Sequence, residues 1–127
     1  MPFNTLPIAT GFDQHYTCVN ESCTQYTTTE LNREHHLDDR TWTCNACGEP
    51  VMVTMVDDTG KTYRIVRSQA QHLKRGDLIY QEHDLQGGVL QVLGSSQAYG
   101  KGKHWYLGLQ GFGGLTVEPD RYFNRIP

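Results

Sequence analysis

YTCVNESCTQYT, residues 16–27, carries Cys18 and Cys23, and TWTCNACGEP, residues 41–50, carries Cys44 and Cys47. The spacing is Cys-x4-Cys, twenty residues, then Cys-x2-Cys. Three chemistries compete for such pairs: disulfides, redox exchange and metal binding. The opening MPFNTLPIATGFDQ has neither a basic n-region nor a long apolar h-region, so the expected compartment is a reducing cytoplasm, where disulfides rarely persist. No βαβ pattern surrounds Cys44 and Cys47, as a thioredoxin-like redox pair requires. Two short-range pairs do supply what structural zinc needs, four soft ligands in a tetrahedron at ~2.3 Å. Cys18, Cys23, Cys44 and Cys47 are therefore the expected ligands of one Zn(II). A site saturated with four thiolates has no open position for water, so this zinc is expected to be structural.

The flanks fit that reading. Gly48 suits the φ > 0 position on which a cysteine turn ends, and backbone N–H groups in such turns can point at the sulfurs. RTWTC and EPVMVTMV read as two strands of a hairpin carrying the second pair at its tip, and QHYTC and TQYTTT bracket the first pair in the same way. His15 is expected to be a strand residue, since four cysteines already complete the site. Over residues 15–56 the chain resembles a zinc ribbon, two hairpin knuckles sharing one ion. The first knuckle also looks like the C-x-N-x-x-C half of phage late-transcription activators of the Ogr/Delta type, with Asn20 at the Asn position. The knuckle order is reversed here, so the resemblance carries over the metal ligands and not the activator role.

Nine of the fourteen acids and two of the eleven bases lie in residues 1–60, a net −7, and residues 61–127 carry +4. Such a split predicts two functional halves, the first repelling a phosphate backbone and the second tolerating one. We read residues 1–12 as a lead-in whose Phe3, Leu6 and Ile8 could dock on the body, 13–60 as the ribbon, and 61–127 as a second domain. DDTG, Asp57–Gly60, signals a tight turn between two alternating runs, VMVTMV and KTYRIV. No apolar run approaches 18 residues, so no membrane span is expected.

Thirteen glycines, many set between short β-rich runs, favour hairpins over long helices. DLIYQ, GVLQVLG, HWYLGLQ and GLTVE read as strands. Gln69–Lys74 reads as one helical turn capped by Ser68, with Leu73 in the core and Gly76 at its end, and PDRYF reads as another. The fold class is mainly β: the ribbon followed by a small barrel of five or six strands. AQHLKRGDLIYQEHD with GGVLQVLG is similar to the opening of Src-homology-like barrels, and also looks like strands of the hedgehog/intein fold, though no opening nucleophile or closing His-Asn supports self-splicing.

Two further clusters invite function. REHHLDD offers Glu34, His35, His36, Asp38 and Asp39, enough for a second metal or for acid–base work, although a solvated loop is the plainer reading. In SSQAYGKGKHWYLGLQGFGG, Lys101, Lys103 and His104 interleave with Tyr99, Trp105, Tyr106 and Phe112, a mixture that could stack bases and meet phosphates. Alternation places Trp105, Leu107 and Leu109 on one face and Tyr106 on the other; the plain-hairpin alternative sends Trp105 and Phe112 to the core. No phosphate loop, HExxH or nucleophile elbow is present. The expected function is a non-enzymatic zinc-binding module contacting nucleic acid through Arg64, Arg67, Lys101, Lys103, His104, Trp105 and Tyr106. The alternative is a protein–protein adaptor within a larger assembly, such as one encoded by a phage or mobile element.

Overall fold

A computed structural model describes residues 8–26, 30–100 and 102–127 of the 127-residue chain. Phe3, Leu6, Thr27–Thr29 and Lys101 lie outside the described residues. The chain divides into two units, Thr10–Arg67 and Ser68–Ile126, the second including Ile8 and Ala9 as well. Among the described residues no helix is long and apolar enough to cross a membrane.

The first unit grows from alternation. VMVTMV buries Val51, Val53 and Met55 and leaves Met52, Thr54 and Val56 at the margin, the period-2 pattern of a strand with one face packed. This is β4 (Met52–Val56), flanked by β1 (Asp13–Thr17) and β5 (Thr62–Gln69), both antiparallel to it. Asp57 closes the β4–β5 hairpin. Its Oδ1 accepts the Thr59 hydroxyl (2.6 Å) and the N–H groups of Thr59 and Lys61, and its Oδ2 accepts the Tyr63 hydroxyl at 2.7 Å. Gly60 takes φ 87°, as the turn signal requires. β2 (Leu37–Asp38) and β3 (Thr43–Cys44) form a separate small ladder.

One ion pair runs through this unit. Arg67 on β5 grips Asp13 on β1 with two bonds, Nη1–Oδ2 at 2.8 Å and Nη2–Oδ1 at 2.7 Å, and neither side chain is more than 5% exposed. The guanidinium also lies over the Trp42 ring, 4.2 Å from its centroid, while Tyr16 stacks on that ring at 5.9 Å. Tyr16 donates to Asp13 Oδ2 at 2.5 Å, and burial, then this bond, pushes its hydroxyl up to about 12. Trp42 is buried with φ 57°, a costly conformation for a bulky residue that its packing and the Trp42 N–H to Asp38 O bond (2.6 Å) hold in place.

In the second unit the end of β5 is followed by β10 (Tyr122–Arg125), β6 (Leu78–Gln81), β7 (Asp84–Gln97), β8 (Trp105–Leu109) and β9 (Gly113–Val117). β7 is long enough to serve twice: Asp84–Gln91 pairs with β6 and Val92–Gln97 with β8. Ala70, Leu73, Ile79, Val92, Leu107, Leu109 and Val117 form the core, covered by Leu90, Trp105, Leu115 and Phe123. Ile8 is buried, and the Ala9 N–H donates to Glu82 Oε1 at 2.6 Å.

Several expectations are corrected. The sheet does not close into a barrel: β9, the last strand in the order, pairs with β8 alone. PDRYF is not a helical turn. Glu118–Arg121 makes a reverse turn (Arg121 N–H to Glu118 O, 3.1 Å) that delivers the good strand formers Tyr122 and Phe123 into β10, whose Asn124 and Arg125 pair with Tyr80 and Ile79 of β6. Ser68 caps nothing. It lies in β5 and its hydroxyl accepts Arg125 Nε at 3.0 Å, while the helical turn shrinks to one 3₁₀ turn, Ala70–His72, followed by a Lys74–Asp77 turn with Gly76 at φ 97°. Of the two flanks expected for the first cysteine pair, TQYTTT falls partly outside the described residues, while the other lies in β1, which pairs with β4 and receives the Leu31 N–H on Tyr16 O at 2.8 Å.

Two outcomes follow from the first unit. Arg67→Ala strands a buried carboxylate and should lower the unfolding free energy by about 3–5 kcal/mol in urea titration; a loss under about 1 kcal/mol would refute the central role of the pair. Hydrogen bonds from Thr59, with those from Tyr63 and Lys61, hold Asp57 down to about 2 from its ordinary 3.8. The stability it supplies is present above about pH 4 and is lost as pH falls toward about 2. Asp57→Asn should therefore flatten the acid limb of a melting-temperature profile, and an unchanged limb counts against this account.

Candidate functional site

The four cysteines converge. The Asn20 side chain accepts the Ser22 N–H (3.1 Å) and its carbonyl accepts the Cys23 N–H (2.9 Å), a turn that brings Cys23 back toward Cys18. In the second knuckle the Gly48 N–H bonds the Cys44 carbonyl (2.8 Å), and Gly48 sits at φ 76°, as its place in the sequence predicts. The knuckle is held at the tip of a short hairpin by Cys44 N–H to Glu49 O at 2.9 Å and Val51 N–H to Trp42 O at 3.0 Å.

All four sulfurs lie within 4.8 Å of one another. Cys18 Sγ to Cys47 Sγ and Cys23 Sγ to Cys44 Sγ are each 3.7 Å, too far for a disulfide, and all four cysteines are free. A tetrahedron with ~2.3 Å from centre to corner has edges of about 3.8 Å, so the sulfurs are spaced as a metal–thiolate tetrahedron requires. Cys18, Cys23 and Cys44 are buried and Cys47 half-buried.

The electrostatics ask for a cation. Burial pushes the Cys18 thiol up to about 12, against the pull of the Asn20 N–H. The Gln25 N–H, 3.4 Å from Cys23 Sγ, lowers that thiol's pKa, but burial and the Cys47 and Cys44 sulfurs outweigh it and the net shift is upward. The Glu49 N–H holds Cys47 down to about 7 against burial. Four sulfurs this close resist joint ionisation by themselves, and a bound divalent cation removes that resistance. The donor set therefore fits a metal ion.

REHHLDD makes no second site. Among the described residues the cysteine quartet is the one group of three or more His, Cys, Asp or Glu placed to hold a metal. The loop's polar groups serve its own turns: Asn32 Oδ1 accepts the N–H groups of Glu34 and His35, His36 Nδ1 accepts the Asn32 N–H, and Arg33 pairs with Asp39 at 3.2 Å.

The expected contact residues scatter. Arg67 is spent inside the first unit. Arg64 is exposed on the other face of β5, also in the first unit. Trp105 turns toward the second unit's core, its Nε1 donating to Ser95 Oγ at 2.8 Å. Lys103, His104 and Tyr106 are exposed in the second unit. There Tyr99, His104, Tyr106 and Thr116 line a cleft of about 380 Å³, with Tyr99 fully exposed. The Tyr106 ring lies flat across β8 and β9 because glycines leave room: a Cβ at Gly114 would stand 2.7 Å from Tyr106 Cε2, and one at Gly108 3.5 Å from its hydroxyl. Phe112 does not fill the core; it is 56% exposed.

The signal for Arg67 was present in the sequence. Tyr63, Ile65 and Arg67 share one parity on β5, and Tyr63 and Ile65 are core residues, so alternation alone places Arg67 on the packed face. Its partner Asp13, 54 residues away, had no comparable signal.

Compared with protein-family models, with curated proteins and with solved structures, the chain gives no significant match.

Proposed function

We propose that this protein is a non-enzymatic binding module in which one structural zinc ion ties the first unit together and the second unit carries a surface for a protein partner. The observation that supports the zinc is the pair of 3.7 Å sulfur–sulfur edges within a buried four-cysteine cluster. Four thiolates favour zinc over harder ions, and a filled tetrahedron leaves no position for substrate or activated water. Zinc binding would add folding energy to the unit that holds it.

Charge favours protein over nucleic acid as the partner. Thr10–Arg67 holds nine acids and five bases, −4, and the remainder of the chain holds six bases and five acids, +1. The basic excess of the second half thus shrinks once Lys61, Arg64 and Arg67 fall in the first unit, and a phosphate backbone gains little from +1. A second reading rests on the cleft between Tyr99, His104 and Tyr106, where exposed rings beside Lys103 could stack the bases of a single strand.

Elemental analysis of protein prepared under reducing conditions should give one zinc per chain, and Cys23→Ser or Cys44→Ser should lose metal and unfold Thr10–Arg67. Amide resonances of that unit that stay dispersed after chelation would remove the structural role. The partner reading expects a defined stoichiometric protein in affinity capture from the native cell, and repeated blank captures would end it. For the second reading, gel shifts with single-stranded DNA and RNA should show affinity falling steeply with salt and weakened by Lys101→Ala with Lys103→Ala; blank lanes at low salt dispose of it.

A further inference from the structure

The two sheet margins are treated differently by the sequence. β1, at the margin of the first unit's sheet, carries Asp13 and His15, is interrupted by a register shift between them, and receives the Leu31 N–H on Tyr16 O. These are devices that blunt an edge. β9 has none of them. Residues 111–117 read GFGGLTV, with no charge and no proline, and Gly113, Gly114 and Thr116 are exposed. The strand is in continuous register with β8 from Gly113 to Val117 and, among the described residues, has no strand on its other side. Its outward N–H and C=O groups form a template for an extended backbone.

Beside this edge the unclosed sheet leaves an apolar cleft of about 320 Å³, walled by Leu90, Leu109, Phe112, Leu115 and Phe123 and by Ile8 of the amino-terminal segment. Leu115 belongs to β9 and Phe112 to the turn before it, so strand edge and cleft are continuous. Side chains on adjacent strands point the same way at matching positions. A residue paired alongside Leu115 would thus aim at the cleft, as Leu115 does. The cleft rim carries Glu82, with His83 and Arg121 at 3.5 Å and 3.7 Å from it, and the exposed carboxylate of Asp84.

The geometry points to β9 as the docking edge for an extended peptide segment of a partner protein, one that adds a strand to the sheet, sets an apolar side chain into the Phe112–Leu115 cleft and places a lysine or arginine beside Asp84. The backbone edge specifies an extended chain, the cleft an apolar anchor, and the rim a basic neighbour. This assignment rests on the reading of the second unit as a protein-contact surface and names the contact.

The test pans a displayed library of random heptapeptides against the full zinc-loaded protein, then measures the selected peptides by titration and by amide hydrogen exchange. Selected peptides should share an apolar anchor with a basic neighbour and protect amides in Gly113–Val117. Phe112→Ala, at an exposed turn position, should weaken them by about tenfold with the melting temperature unchanged. Asp84→Lys should turn the selection from basic to acidic neighbours. N-methylation of alternate peptide amides should abolish binding, because it removes ladder donors. Peptides that bind equally well when N-methylated, that protect another strand, or that ignore Phe112→Ala would overturn the assignment, as would a library yielding no binder. Self-association that protects the same amides would give the edge to a second copy and overturn it too. A partner captured from the native cell that binds Phe112→Ala at full strength would sink the β9 assignment alone; blank captures despite peptide binding would sink the adaptor reading alone.

Discussion

Four sulfurs gathered within 4.8 Å, three of them buried, are the constraint on which the first unit is built. Thiols packed that closely gain little from each other, because each is a weak hydrogen-bonding group and each resists ionisation beside the next. The backbone nevertheless bends twice to assemble them, using an Asn20 turn on one side and the φ 76° of Gly48 on the other, and points N–H groups of Gln25 and Glu49 at sulfur. Conformational cost of this kind is offset when a cation draws the sulfurs together, and their 3.7 Å edges are those of a tetrahedral metal–thiolate centre.

The cluster shares this unit with a second organising contact of a different kind. The Asp13–Arg67 pair joins β1 to β5, and Trp42 lies beneath the guanidinium with Tyr16 against its ring. A buried ion pair is weak evidence of net stability, since desolvation consumes most of what attraction returns. Its value here is registry: one bidentate fork has one satisfactory partner, and satisfying it fixes where β1 and β5 stand in relation to Trp42. Trp42 follows β2 and directly precedes β3, and β3 ends on Cys44 of the cysteine cluster, so the ion pair and that cluster are linked through two residues of chain.

The second unit is built around an apolar core. Its core is a single cluster around Val92, Leu107 and Leu109, reached because β7 is long enough to pair with two partners in succession. Stopping short of closure keeps one strand edge and one apolar cleft at the surface, and glycines on β8 and β9 let Tyr106 lie across the opposite face. The exposed aromatics Tyr99, Tyr106 and Phe112 belong to this unit, against Tyr26 in the first. Its surface, rather than its interior, is the place where function is to be sought.

The clustering of the four cysteines, the β4–β5 hairpin with its Asp57–Gly60 turn, the strands at Leu78, Trp105 and Gly113, and the division of Trp105 from Tyr106 were all legible in the sequence. Each depends on interactions a few residues apart or on a strict period of two. What tertiary structure alone decided depends on partners far along the chain. Asp13 meets Arg67 across 54 residues; Tyr122–Arg125 becomes a strand whose Asn124 and Arg125 find a ladder on β6; β1 pairs with β4, about 40 residues along the chain. Barrel closure is the same kind of question. Local pattern specifies that strands form, but whether the last one finds a second neighbour depends on twist and register summed over the whole sheet, and no short stretch of sequence carries that sum.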